Sequence, residues 1–242
     1  MYKKVLVIAD THLSPFHQDL DTWRMLAKYV IKTKPDIIMH LGDVADMDSL
    51  CWLKNQRGPY TTDEELDCVA RHLDTFEDIL QQDRNRCRRQ HITMYRPTKI
   101  LCLGNHDVRN GFTGIDDIFT DRNWDVFDYG VAVNIDNVYF SHCMAKGLTS
   151  NACSTSDEIL ENWHGNIVCG HGHKCDYAET YSLSDHTILK AIKCPVFSNR
   201  CGLGLWAGQS RMKWSTGFTE IEIRDSEIYS FVWRSMECLN EI

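Results

Sequence analysis

The chain has 242 residues, 43% hydrophobic, 25% charged and 10% aromatic, which is ordinary globular usage at a length one α/β domain commonly reaches, so a single domain over 1–242 is expected. Lys and Arg number 26 against 34 Asp and Glu, a formal charge of -8; no whole-surface positive field advertises nucleic acid or an anionic membrane, and any phosphate site must be local. The longest apolar runs, such as Val5 to Ala9 and Ile37 to Met39, fall far short of the ~20 residues that span a bilayer, and the run after Lys3 and Lys4 is too short for a signal-peptide core, so the expected location is cytoplasmic, away from membranes.

In chain order, Lys3 to Ala9 is a β-branched apolar strand. Trp23, Leu26, Ala27, Val30 and Ile31 then recur at three and four, a helical face that Pro35 closes. Asp36 to Leu41 is a second short strand, so the chain opens on a βαβ unit with a parallel pair. Val44 to Pro97 is polar and helical, with Thr62 and Glu65 in capping-box positions ahead of Leu66, Val69, Leu73, Phe76 and Leu80, and reads as a helical insertion (44–97) between strands. Strand-like runs return at Ile100 to Leu103, Asp125 to Phe127, Val131 to Ile135, Val138 to Ser141 and Ile167 to Cys169, with a helical run from Asp157 to Trp163. Asp136-Asn137 reads as a hairpin turn, and Asp225-Ser226 suits the turn between the last two strands. After His173 the chain is β-rich, with Thr187 to Ile192, Gly217 to Ile223 and Glu227 to Trp233. The eleven cysteines contain no CxxC pair and read as reduced thiols filling the interior.

Five of the apolar strands end in metal-binding residue types: Asp10 and His12, then Asp43, then Asn105 and His106, then His142, then His171 and His173. Ligands at the carboxyl ends of parallel strands converge in one crevice. A single Asp-x-His carries little weight; five such ends in order are hard to assign to chance. Asp10 and His12 project to one side of an extended segment, and His171 and His173 repeat the device. Imidazole, carboxylate and one amide oxygen together suit Mn, Fe, Zn or Ni better than Ca.

The ordered blocks Asp10-x-His12, Gly42-Asp43, Gly104-Asn105-His106-Asp107, His142 and Gly170-His171-x-His173 resemble those of the calcineurin-like metallophosphoesterase superfamily, over about two thirds of the chain. The resemblance implies an α/β fold of two mixed sheets flanked by helices (αββα), with the 44–97 insertion over the metal mouth. It implies one divalent ion on Asp10, His12, Asp43 and His173 and a second on Asp43, Asn105, His142 and His171, with manganese first among iron, zinc and nickel. A hydroxide held between the ions would attack a phosphomonoester or phosphodiester, Asn105 would also contact substrate, and His106 would protonate the leaving oxygen as general acid.

Asp46, three residues past Asp43, occupies the place of the carboxylate that orients this histidine in related phosphatases; capping of the following helix by Asp46 or Asp48 is an equal alternative. The protein phosphatases of the superfamily place arginine directly after that carboxylate, whereas this chain has Met47. Arg109 is then the candidate phosphate clamp, with a solvated loop arginine as the alternative.

Outside the blocks, His17, His40, His72, His91, His164 and His186 read as surface or satisfied core residues. Arg84, Arg86, Arg88 and Arg89 read as a solvated helix end favoured by the macrodipole, with a nucleic-acid contact as the sharper alternative. Trp52, Tyr60, Trp206 and Trp214 either anchor loops or stack a base. The competing functions are a nuclease similar to the DNA exonucleases of the superfamily, against which stand the acidic balance and the short stretch after His173, and a non-catalytic scaffold, against which stands the complete ligand set.

Overall fold

The computed structural model describes residues 2–16, 19–51, 59–149, 151–183, 186–198 and 212–241. β1 (Tyr2–Ile8) turns Val5 and Val7 to one side and Leu6 and Ile8 to the other, and all four are buried, the pattern of a strand covered on both faces. α1 (Leu20–Thr33) starts where the Asp19 carboxylate accepts from the Thr22 amide at 3.1 Å. It stops at left-handed Lys34, the residue before Pro35. β2 (Ile37–His40) runs parallel to β1, β3 (Thr98–Cys102) parallel to β2, and β4 (Asp125–Phe127) parallel to β3.

α2 (Thr62–Arg89) departs from the sequence reading twice. Its capping box is Thr61 with Glu64, one residue earlier than the Thr62–Glu65 pair, because Glu65 is buried and turned back to accept from the amides of Asp48 and Ser49. Nor does α2 lie over the site as an appendage. Its Cys68, Val69, Leu73, Phe76 and Leu80 share one core with Trp23, Leu26 and Val30 of α1 and with Ile38 and Leu101 of the sheet. It is the crossover helix that parallel β2 and β3 require, and short α3 (Gly114–Thr120) adds Ile115 and Phe119 to the same layer.

The second sheet comprises β5 (Val133–Ile135), β6 (Val138–Ser141), β7 (Asn166–Cys169), β8 (Asp176–Ser182) and β9 (Thr187–Lys193), in the order β5-β6-β7-β9-β8. The chain then returns to the first sheet as β10 (Phe218–Arg224) and β11 (Glu227–Arg234), giving β11-β10-β1-β2-β3-β4. Both predicted tight turns form, with left-handed backbone at Asp136, Asn137, Asp225 and Ser226. Val7, Met39 and Cys102 of the first sheet meet Phe140, Val168 and Ile192 of the second. α4 (Ser156–Asn162) covers the outer face of the second sheet through Ile159 and Leu160. The architecture is therefore two mixed sheets face to face with helices outside. β8, whose sequence is largely polar, and α3 were not foreseen. Among the described residues no helix is long and apolar enough to cross a membrane.

Candidate metal centre

The turns that follow β1, β2, β3, β6 and β7 meet at one edge of the two sheets. Asp10, His12, Asp43, His171 and His173 all have left-handed backbone, with φ of 53°, 44°, 48°, 61° and 54°. Such a conformation in residues with a Cβ is sustained where surrounding structure over-determines it, and it is common at functional sites. The over-determination is visible here. Asp10 and His12 donate their amides to the carbonyls of Gly42 and Asp43, each at 3.0 Å. Asp107 accepts from Val44 and Gly104, each at 2.8 Å, bolting the turn after β2 to the turn after β3. Those two turns touch so closely that a Cβ on Gly42 would lie 2.4 Å from the Gly104 amide nitrogen. His40 completes the frame. Its Nδ1 accepts from the Gly42 amide at 3.1 Å, so Nε2 carries the proton and faces Thr11 Oγ1 at 3.2 Å, and the hydroxyl donates onward to the Val44 carbonyl at 2.7 Å. Burial pushes the His40 pKa down to about 3, so the strut is neutral.

Onto this frame the ligand residue types converge in two groups that share Asp43. Asp10, His12, Asp43 and His173, all buried, offer ligand atoms within 4.8 Å of one another, and so do Asp43, His142 and His171. His12 Nε2 lies 3.2 Å from His173 Nε2, which lies 3.5 Å from Asp10 Oδ1. In the second group His142 Nε2 lies 3.1 Å from His171 Nδ1, 3.0 Å from Asn105 Oδ1 and 3.4 Å from Asp43 Oδ2.

The far sides of the rings are held by protein acceptors. His142 Nδ1 donates to the Leu41 carbonyl at 2.7 Å, and His12 Nδ1 stands 3.0 Å from Asp46 Oδ1. A ring whose outer nitrogen keeps its proton aims the lone pair of the other inward. Imidazole lone pairs and carboxylates converging in a buried space form a donor set that fits divalent metal ions.

The electrostatics follow from the crowding. Burial would raise Asp43, but His142, His106 and His12 outweigh it and hold the carboxyl well below its usual range. Burial would lower His12, yet Asp46, Asp43 and Asp10 push it up to about 9. His171, desolvated by partial burial beside His142, falls to about 4, and Asp107, buried near Asp43, rises to about 7.

The remaining sequence candidates take specific places. His106 donates its main-chain amide to Asp43 Oδ1 at 2.9 Å, and its ring Nδ1 donates to the backbone carbonyl of Asp46 at 2.8 Å. The anticipated pairing through the Asp46 carboxylate is replaced by this carbonyl, because the Asp46 side chain is directed to His12. Arg109 is no solvated loop residue: it donates to the carbonyls of Asp46 and Met47 at 3.0 and 3.2 Å, and its Nη2 lies 3.2 Å from His106 Nε2. Burial, with His12 and Arg109 beside it, lowers the His106 pKa despite the attraction of Asp43.

Trp214 is buried edge-on against His173, with ring centroids 4.2 Å apart, and walls the first group. Tyr60 lines a groove with Pro15, Glu64 and Arg71. His72 is a core residue donating to the Cys68 carbonyl, and His91, His164 and His186 are exposed. Arg86, Arg88 and Arg89 sit in the last turn of α2, where the macrodipole favours them. The ten described cysteines are free thiols. Trp52, Trp206, His17 and Cys201 lie outside the described residues.

Sequence reasoning missed Asp107 and His40 as frame-builders. The Asp ending the Gly104-to-Asp107 block was a usable signal for the first; for the second there was none.

Residues 3–206 match the family model for calcineurin-like phosphoesterases. Among curated proteins no sequence matches. Solved structures with similar folds include the Pseudomonas putida nuclease MPE, 14% identical over 78% of this chain and 73% of its own, with a TM-score of 0.38. A conserved uncharacterized protein of Streptococcus pneumoniae TIGR4, described as a predicted phosphoesterase, is 11% identical over 97% of this chain and 99% of its own, also at 0.38. A third solved structure reaches 0.50 at 12% identity, over 97% of this chain and 100% of that one, and at such identity it speaks to the fold alone. The family match begins within β1 and runs past His173, so it takes in β1 to β4 of the first sheet, the whole second sheet and every residue of the two groups; the chain belongs to the calcineurin-like phosphoesterase family.

Proposed function

We propose that the chain hydrolyses a phosphomonoester or phosphodiester at a centre of two divalent ions, manganese first among them. The observation that carries this is the pair of ligand groups joined at Asp43. Asp10, His12, Asp43 and His173 would hold one ion, and Asp43, Asn105, His142 and His171 the other. Two such ions, when bound, orient phosphate oxygens and acidify a water into a nucleophile.

The chain's own residues do the rest. His106 is held by its Nδ1 proton on the Asp46 carbonyl, which presents Nε2 to a leaving oxygen arriving on the Arg109 side. Arg109, braced by two carbonyls through Nη1, offers Nη2 to a phosphate oxygen. An anionic phosphate lodged against Arg109 would offset the Arg109 part of what lowers His106, favouring the protonated imidazole that a general acid needs.

The test is turnover of a phosphomonoester, a phosphodiester, a cyclic nucleotide and single-stranded DNA by metal-free protein with and without added Mn2+. Hydrolysis of at least one ester only with metal, and two equivalents of Mn2+ bound, is the expected result. Undiminished turnover after full chelation overturns the reading.

A further inference from the structure

The buried centre contains a carboxylate that the proposed reading leaves without a ligand role, Asp46. We propose that its side chain is a positioning residue for His12, and thereby for the ion that the Asp10–His12–Asp43–His173 group would hold. His106 is positioned instead by the peptide carbonyl of Asp46 and by Arg109. This inference rests on the reading of the centre given above.

Asp46 splits its two oxygen functions between two histidines. Its amide donates to the Leu13 carbonyl at 3.2 Å, pinning this residue to the turn that carries His12. The next residue, Met47, is left-handed with φ 46°, so the chain reverses directly after the Asp46 carbonyl. That carbonyl accepts from His106 Nδ1 at 2.8 Å and from Arg109 at 3.0 Å. The carboxylate takes the other direction, and its Oδ1 lies 3.0 Å from His12 Nδ1 with both side chains almost wholly buried.

The consequence for His12 is geometric. With the Asp46 carboxylate 3.0 Å behind Nδ1, Nε2 points to His173 Nε2 at 3.2 Å and toward Asp43 Oδ2 at 4.0 Å. A carboxylate behind an imidazole fixes its tautomer and orientation and makes the inward nitrogen a stronger donor than a carbonyl does. His12, Asp46 and His106 also lie within 4.8 Å of one another. They do not form a third ion site, because a His12 that ligates through Nε2 keeps its Nδ1 proton and has no lone pair to offer there.

The experiment compares Asp46→Ala, Asp46→Asn and His106→Ala with wild type. Each metal-free protein is titrated with Mn2+ by calorimetry. Each is then assayed at saturating Mn2+ on an alkyl and a nitrophenyl ester of one phosphate class. Asp46→Ala should weaken the tighter Mn2+ event roughly 10-fold to 100-fold, the usual effect of losing a partner behind a metal-binding histidine. Asp46→Asn should weaken it less, because the amide oxygen still accepts from Nδ1. In both, the alkyl-to-nitrophenyl ratio should stay at the wild-type value, whereas His106→Ala should depress it.

Wild-type Mn2+ affinity in Asp46→Ala, beside a wild type that binds two equivalents, overturns this inference alone. A selective loss on the alkyl ester like that of His106→Ala also overturns it, by returning the carboxylate to His106. If Asp46→Ala does not fold, Asp46→Asn decides by the same two readouts. A wild type that binds no Mn2+ overturns the reading of the centre and this inference together.

Discussion

The two ligand groups meet at one carboxylate and are otherwise unlike. The Asp10, His12 and His173 side is buried, brings a second carboxylate of its own, and has a ring backed by the Asp46 side chain. The His142, His171 and Asn105 side has only the shared carboxylate, backs its His142 ring with the neutral Leu41 carbonyl, and leaves His171 and Asn105 half-buried. Charge and burial thus point the same way: a divalent cation gains more from two carboxylates in a water-poor site than from one at a wetter edge. One crevice can therefore contain a retained ion and an exchangeable one.

The largest effect belongs to the residue common to both groups. On the proposed reading Asp43→Asn would remove a charge between the two ions and should lower turnover by more than about 100-fold, since losing even an outer partner typically costs 10-fold to 100-fold. It should also lower Mn2+ stoichiometry below two; activity within tenfold of wild type would break the shared-ligand reading.

His106→Ala comes next. It should slow an alkyl or nucleoside ester by ~100-fold or more while affecting a nitrophenyl ester far less, because only a basic leaving group needs the proton. Both Mn2+ equivalents should remain. Loss of one would add His106 to the first group and redraw the comparison, and equal losses on both esters would make it a phosphate-positioning residue.

Graded chelation sharpens the asymmetry directly. Metal analysis against chelator concentration should show one equivalent leaving before the other, and His171→Ala should abolish the weaker event while retaining the tighter one. Simultaneous release from wild type would show the two sides to be equivalent.

The smallest effect is expected from Asp107→Asn. The amide can accept from only one of the Val44 and Gly104 N–H groups and sets its own NH2 against the other, leaving a buried donor unmet at about 1–3 kcal/mol. Chemical denaturation should show that loss, with the weaker Mn2+ event affected more because Asn105 sits between Gly104 and Asp107. Unchanged stability would mean that the bolt between the two turns is dispensable.

The convergence of these side chains was legible because each ends an apolar run, and a buried strand delivers its last side chains to the sheet edge whatever surrounds it. The layered fold was legible for the same reason. The capping box was not, since Thr61–Glu64 and Thr62–Glu65 both satisfy the local pattern and the choice is made by a tertiary contact, the pull of the Asp48 and Ser49 amides on Glu65. The role of α2 was misread because polarity marks its outer face, while Leu73, Phe76 and Leu80 mark membership of the layer against α1. β8 escaped notice because an edge strand such as Asp176–Ser182 needs little apolar alternation. The partner of Asp46 could not be read either: spacing places a carboxylate near two histidines, and only the backbone turn at Met47 decides which one receives it.

The buried His40 strut has a bearing on acid tolerance. With a folded pKa of about 3 against an ordinary imidazole value near 6.5, it stays uncharged through mildly acidic conditions, so its own bonds to the Gly42 amide and to Thr11 keep the same donor and acceptor at about pH 5 as at neutrality. The cost falls on the unfolded chain's side of the balance. Below about pH 6.5 only the unfolded chain takes up this proton, so the strut's contribution to stability declines as pH falls toward 3. Mild acid would accordingly diminish what this one strut adds to the stability of the metal-free protein before it protonated the strut itself.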